Sequence, residues 1–313
     1  MLYLIIIVFL LVILYVAASA QAQKLKRNPD PYLLAELTKP LAGDEVYITR
    51  EDGTSIHAVT AGSGTIVVLA HGYGYSVDEW NVIGDLLLKA GYRLIAFDLR
   101  GHGKSNIGTD GIGSRQMASD YVAILEHFDV RDAILVGHST GVFLAIVFML
   151  TYPEIAAQRL KGAVLMSGFA GNILKGSLQN RLQIPLIKMG IIQWVARSGT
   201  YGWLFGASLC GDNPSPAIIQ AFLQGFSAQC HQDLIPILQA LADEDYYPRL
   251  GEIKLPCVVV CGDKDKTTPR WHSESMGSDI PKARNIWVKG KGHLLNWEAP
   301  ETLVEVVKSL WNP

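Results

Sequence analysis

Ser139 stands between Gly137 and Gly141, directly after the apolar run Ile134-Leu135-Val136. Gly-x-Ser-x-Gly in that setting is the spacing of a nucleophile carried on a sharp turn. The residues before it are β-branched and apolar, as an interior parallel strand requires. Residues 142–150 continue as an unbroken apolar stretch that reads as a core helix stopping near Pro153. A serine forced onto a strand-to-helix turn takes a strained backbone conformation, which lifts its hydroxyl clear of the sheet. Side chains at 137 and 141 would collide with the turning chain, so glycine is needed at both. A helix that starts at Thr140 also aims free N–H groups and the positive end of its dipole at the same point.

Such an alcohol needs a base and a group that orients the base, arriving in the order serine, acid, histidine. Both follow. Residues 258–262 form an apolar strand succeeded by Asp263 and Asp265, and the run 288–293 ends in His293 within a glycine-flanked loop. Two carboxylates compete for the orienting role at this point. No His-Glu-x-x-His and no zinc-type cysteine spacing occurs, so the expected metal set is none. Gly101-His102-Gly103-Lys104-Ser105 has the form of the end of a phosphate loop, but Asp98 occupies the place of its first glycine and the reading fails.

The rest of the chain must hold these residues together. Its 313 residues suffice for one large α/β domain with an insertion, and a formal net charge of −2 gives no reason to expect a nucleic-acid partner. Hydrophobic residues make up 49% and charged ones 18%, a high ratio that the N-terminal segment partly accounts for. Residues 45–50 and 55–60 read as an antiparallel hairpin around Asp52-Gly53. Strands are expected at 65–70, 92–98, 161–167, 256–262 and 284–288, with helices at 77–90, 114–128 and 298–310 between and after them. Alternation of that kind implies a mostly parallel sheet covered on both faces. Residues 168–250 break it with several apolar helical segments and no clear strand, as a helical cap over the active-site end of the sheet would. Of the four cysteines, Cys257 and Cys261 read as buried filler, and Cys210 and Cys230 remain open as a possible pair.

Taken in order, His71-Gly72-Tyr73-Gly74, the run from Asp98 to Ser105, the elbow at Ser139, Gly262-Asp263-Lys264-Asp265 and Gly292-His293 resemble the α/β-hydrolase family, in its serine-nucleophile branch with a helical cap. The resemblance covers residues 45–311. It implies a mostly parallel eight-stranded sheet flanked by helices, and a division into hydrolase core at 44–167 and 251–313 with the cap at 168–250. The family pattern Gly-x-x-Asp selects Asp265 over Asp263. Ser139, Asp265 and His293 are then the catalytic residues, and the backbone N–H groups of Tyr73 and Thr140 form the oxyanion hole. His71, His102 and His138 take packing or hydrogen-bonding roles, and His231 in the cap is within possible reach of a substrate. No cofactor is implied. Serine at 139 directs the chemistry to esters, thioesters, lactones or amides, because epoxide hydrolases and haloalkane dehalogenases carry aspartate there. Apolar cap residues favour carboxylic esters of apolar or lipid acyl groups such as monoacylglycerols. Lactone hydrolysis, carbon–carbon bond hydrolysis and cofactor-free haloperoxidase chemistry are the enzymatic alternatives, and a non-catalytic receptor or scaffold is the alternative of another class.

Residues 2–20 are almost wholly apolar, just long enough to cross a bilayer. Lys24, Lys26 and Arg27 follow and no base precedes them after the first residue, so the positive-inside rule expects the catalytic domain in the cytoplasm. Residues 1–22 are therefore expected as a membrane anchor and 23–43 as a linker. Small residues at 18–22 also fit a cleaved signal peptide, which would make the protein secreted or periplasmic.

Overall fold

In the computed structural model, which describes residues 1–311, eight strands form one sheet. They are β1 (Asp44–Thr49), β2 (Ser55–Ala61), β3 (Thr65–Ala70), β4 (Tyr92–Phe97), β5 (Ala133–His138), β6 (Leu160–Met166), β7 (Cys257–Gly262) and β8 (Ala283–Val288). The order across the sheet is β1-β2-β4-β3-β5-β6-β7-β8. β1 and β2 pair antiparallel, as do β2 and β4, and every later pair is parallel. The elbow strand β5 therefore lies mid-sheet between β3 and β6. Strand periodicity sends Val68, Leu135, Leu165 and Val259 to one face and Val67, Leu69, Val136, Val164 and Val260 to the other.

The helices, in chain order, are α1 (Leu2–Leu25), α2 (Leu34–Leu37), α3 (Asn81–Lys89), α4 (Ser114–His127), α5 (Thr140–Thr151), α6 (Pro153–Arg159), α7 (Leu178–Lys188), α8 (Ile192–Arg197), α9 (Tyr201–Ser208), α10 (Pro216–Ser227), α11 (Ile235–Asp243), α12 (Arg270–Asp279), α13 (Leu295–Glu298) and α14 (Pro300–Trp311). α4 and α5 cover one face of the sheet, and α3 with α14 covers the other. α5 is buried from Thr140 to Leu150, which is why its sequence is apolar all round.

Several details differ from the sequence reading, among them the unforeseen helix α12. The expected helix at 77–90 is a 3-10 turn, Val77–Trp80, leading into α3. The closing helix, expected from residue 298, starts at Pro300, whose missing N–H costs nothing at the first helical position, and the short helix α13 precedes it. The polar connector after residue 22 is packed onto the core rather than free. Asn81 Nδ2 donates to the carbonyls of Glu36, Leu37 and Lys39 at 3.1, 2.8 and 3.0 Å, and Leu37 is buried. The carboxylate of Asp30 accepts from Ser215 Oγ at 2.7 Å and from the Ala217 N–H at 2.5 Å, closing the N-terminus of α10 with a negative charge.

α1 is long and apolar enough to cross a membrane, and a signal sequence would look the same. Among its described side chains only Ala22 and Leu25, at the C-terminal end, are buried. All four cysteines are free, so Cys210 and Cys230 are unpaired.

A buried ion pair holds the loop after β4. Arg100 donates to Asp120 through Nε at 3.0 Å and Nη2 at 2.8 Å, and both side chains are 2% exposed. Removing Asp120 leaves the guanidinium buried with less compensation. Asp120→Ala is expected to cost about 3 kcal/mol or more, read as a lower urea midpoint at unchanged slope.

Candidate active site

The β5–α5 turn sets Ser139 at φ 51° and ψ −112°. A non-glycine residue pays strain for positive φ, on the order of 1–3 kcal/mol, and the surrounding packing must enforce it. That packing is visible at the flanking glycines. A Cβ on Gly141 would sit 2.2 Å from the Ala70 carbonyl oxygen, and one on Gly137 would sit 2.8 Å from the Gly141 carbonyl carbon. The Ser139 N–H is tied to the Met166 carbonyl at 3.0 Å. The loop after β3 presses on the same point, since a Cβ on Gly72 would come within 3.3 Å of Ser139 Cβ. The N–H groups of Tyr73 and Thr140 donate to no other group among the described residues. Thr140 opens α5, where an unpaired N–H is expected.

Asp265 and His293 occupy the loops after β7 and β8. The Asp265 Oδ1 accepts the N–H groups of Thr267 and Thr268, both at 2.9 Å, and its Oδ2 accepts Thr268 Oγ1 at 2.6 Å and His293 Nδ1 at 2.8 Å. Burial pushes this carboxyl up, but the facing imidazole and the Thr268 donors outweigh it, and it lies below its ordinary value. With Nδ1 donating to a carboxylate, the neutral imidazole of His293 carries no proton on Nε2 and is free to accept one there. The His293 N–H donates to the Leu209 carbonyl at 2.7 Å, and Glu298 accepts the N–H groups of Gly211 and Gly292 at 2.8 Å each. Asp263 does something else: it accepts the Gly290 N–H at 2.7 Å on the exposed side of the loop.

Ser139 and His293 line one cavity together with Gly72, Tyr73 and Thr140. Its remaining walls come largely from the helices between β6 and β7, with Ile184 and Ile187 of α7, Phe222 and Phe226 of α10 and Leu238 and Leu241 of α11. Those surfaces are apolar. Asn180 and Gln183 are polar exceptions among them, and Glu79, His138 and Thr267 add polar groups from the core.

The sequence reading passed over Glu79. Its Oε1 lies 2.5 Å from His138 Nδ1, its Oε2 accepts the Gly72 N–H at 3.1 Å, and His138 Nε2 donates to the His293 carbonyl at 3.1 Å. One buried pair thus joins the elbow, the loop after β3 and the histidine loop. Burial disfavours both charges, yet the partner prevails in each: Glu79 falls below its ordinary value and His138 rises above its own. No local pattern marks Glu79, which sits 59 positions from its partner.

Of the other histidines, His71 and His231 have both ring nitrogens engaged. His71 Nδ1 donates to the Gly72 carbonyl at 2.7 Å and its Nε2 accepts the Leu99 N–H at 3.0 Å. His231 Nε2 donates to the Phe226 carbonyl at 2.8 Å and its Nδ1 faces the Tyr73 hydroxyl at 3.3 Å, so both ring nitrogens are engaged within the protein. His57 pairs with buried Asp98 at 2.7 Å. Burial drives His102 and His272 down to about 3, leaving both neutral. Among the described residues no cluster of His, Cys, Asp or Glu is arranged to hold a metal ion.

A family model described as the alpha/beta hydrolase family matches residues 67–306. The non-heme haloperoxidase of Rhodococcus erythropolis is 31% identical over 253 residues, spanning 77% of this chain and 90% of that protein. The bifunctional esterase/perhydrolase of Acinetobacter calcoaceticus is 29% identical over 249 residues, 75% of this chain and 88% of that protein. In fold, the esterase from Exiguobacterium antarcticum superposes with a TM-score of 0.74 at 24% identity, covering 85% of this chain and all of its own.

The Glu79–His138 pair makes a signed pH prediction. The depressed glutamate stabilises fully above its ordinary 4.5 and loses that as pH falls, and the raised histidine stabilises fully below its ordinary 6.5 and loses that as pH rises. The destabilisation by Glu79→Gln should therefore peak between those values, at about 3 kcal/mol, and shrink on both sides in denaturation series across pH.

Proposed function

The chain belongs to the α/β-hydrolase family, and on that premise we propose that it is a serine hydrolase that cleaves carboxylic esters of apolar acyl groups. The observation that carries this reading is one apolar cavity lined by both Ser139 and His293, with the His293 Nδ1 proton held by Asp265. His293 Nε2 takes the Ser139 proton as the oxygen attacks the ester carbonyl. The oxyanion forms beside the N–H groups of Tyr73 and Thr140, each worth on the order of 3 kcal/mol of barrier. His293 then protonates the departing alkoxide. A water molecule that gives its proton to His293 attacks the acyl-serine, releasing the acid and restoring Ser139.

Residues 168–250 are read as a cap that sets acyl specificity, and residues 1–22 as a membrane anchor with the catalytic part on the side of Lys24, Lys26 and Arg27. Lipid esters such as monoacylglycerols suit both features. The names of two relatives favour a second reading of the same intermediate. Hydrogen peroxide in place of water would leave a peroxy acid and the free serine.

The test is a series of p-nitrophenyl esters and a monoacylglycerol, presented to the full-length protein in detergent. kcat/KM is expected to rise from acetate to medium chains, Ser139→Ala to abolish turnover, and Asp265→Asn to lower kcat by about 10⁴. A preference for acetate would refute the apolar-acyl assignment, and turnover by Ser139→Ala would refute the nucleophile.

A further inference from the structure

Beyond residue 25, all but two of the exposed large apolar side chains among the described residues fall in one run through α7 and α8. They are Leu178, Leu182, Met189, Ile191 and Trp194, with Leu182 62% and Trp194 64% exposed. Soluble surfaces seldom gather such residues without a partner for them.

The segment that carries this patch has charge of one sign, and a neighbouring carboxylate, Asp243 of α11, is bound to Gln239, which also accepts from Lys188. Residues 155–211 contain no aspartate or glutamate, whereas the exposed bases Lys175, Arg181, Lys188 and Arg197 are interleaved with the apolar side chains. None of the four has a carboxylate partner among the described residues. Apolar side chains set among unpaired bases are the composition of a surface that meets anionic headgroups.

The patch also continues into α1. The ring of Tyr15 lies 6.3 Å from that of Tyr201 on α9, and Tyr201 lies 6.0 Å from Trp194 on α8. The Lys26 ammonium stands 5.3 Å over the Trp203 ring. Tyr15 precedes Lys24 by nine positions, about 13 Å along a helix that rises 1.5 Å per residue. With Lys24, Lys26 and Arg27 at the headgroups and α1 across the bilayer, Tyr15 is inside the hydrocarbon boundary. With Trp203 under Lys26 and Tyr201 against Tyr15, α9 runs from the headgroups toward the hydrocarbon boundary and brings the adjoining Trp194 of α8 to the interface.

We infer that the α7–α8 face is a docking surface for an anionic lipid bilayer, seated beside α1 in the interfacial layer. The depth rests on the anchoring of α1 proposed above, whereas the patch and its charge stand independently of it. A functional consequence follows from helix spacing. On α7, Leu178 and Leu182 face outward, whereas Asn180, Ile184 and Ile187 are buried against the cavity that holds Ser139. The helix on the lipid surface is thus also a wall of the acyl cavity, so an ester dissolved in the bilayer has a short path to it.

The test is nitroxide immersion depth in the full-length chain, on a Cys230→Ser background because the other three cysteines are buried. Single labels go at Leu182→Cys and Trp194→Cys, with Val12→Cys in α1 and exposed Tyr47→Cys as references. The protein sits in nanodiscs of phosphatidylcholine, with or without phosphatidylglycerol. At 182 and 194, collision with oxygen relative to a water-soluble nickel chelate should exceed the value at 47 several-fold and fall when phosphatidylglycerol is omitted. Labels at 182 and 194 that match 47 overturn the inference, and if 12 is immersed in that experiment the anchor survives alone. Immersion at 182 and 194 with 12 in water supports the docking surface and refutes the anchor.

Discussion

The backbone of Ser139 is held at a positive φ by contacts that leave no room to relax. Ala70, Gly137 and Gly141 approach so closely that a single added methyl group would strike main-chain atoms. The unfavourable conformation persists because β5 is locked between β3 and β6 and α5 is buried along its length. Strain of a few kcal/mol is small beside the apolar burial of one such helix. The geometry it enforces brings a hydroxyl, a helix N-terminus and the loop after β3 to one spot.

Around that spot, polar groups are satisfied in a way that limits their motion. Asp265 spends both oxygens on fixed donors before it meets His293, so the imidazole is presented in one tautomer and one orientation. On the other side, His138 and Glu79 connect the backbones of residues 72 and 293. Taking two charges out of water is costly, and such a pair returns the cost only when its remaining bonds are made. Here they are made to the backbones of loops that must hold still.

Much of this was readable in the chain. The hairpin, the central strands, the elbow and the all-helical insertion all carry periodicities or turn residues that act locally, and the order serine, acid, histidine narrowed the carboxylates. What escaped depends on long-range contacts. α12 has no continuous apolar stripe, with Trp271, His272 and Met276 packing through its own mixed composition. The linker acquired structure from Asn81, far along the chain, and Glu79 became a network centre only because folding brought His138 to it. His231 looked available as a single residue, but Phe226 and Tyr73 take both of its nitrogens.

In the proposed reading catalysis and location meet in the insertion, whose inner faces line the cavity that holds Ser139 and whose outer faces carry exposed apolar and basic side chains. All of it presupposes that Ser139 is an activated nucleophile. Reaction of the full-length protein with a fluorophosphonate, followed by peptide mass spectrometry, tests this most directly. The account predicts one phosphonyl group per chain, on the peptide containing Ser139. An unmodified Ser139 in protein that still hydrolyses esters, or modification at another residue, would contradict it.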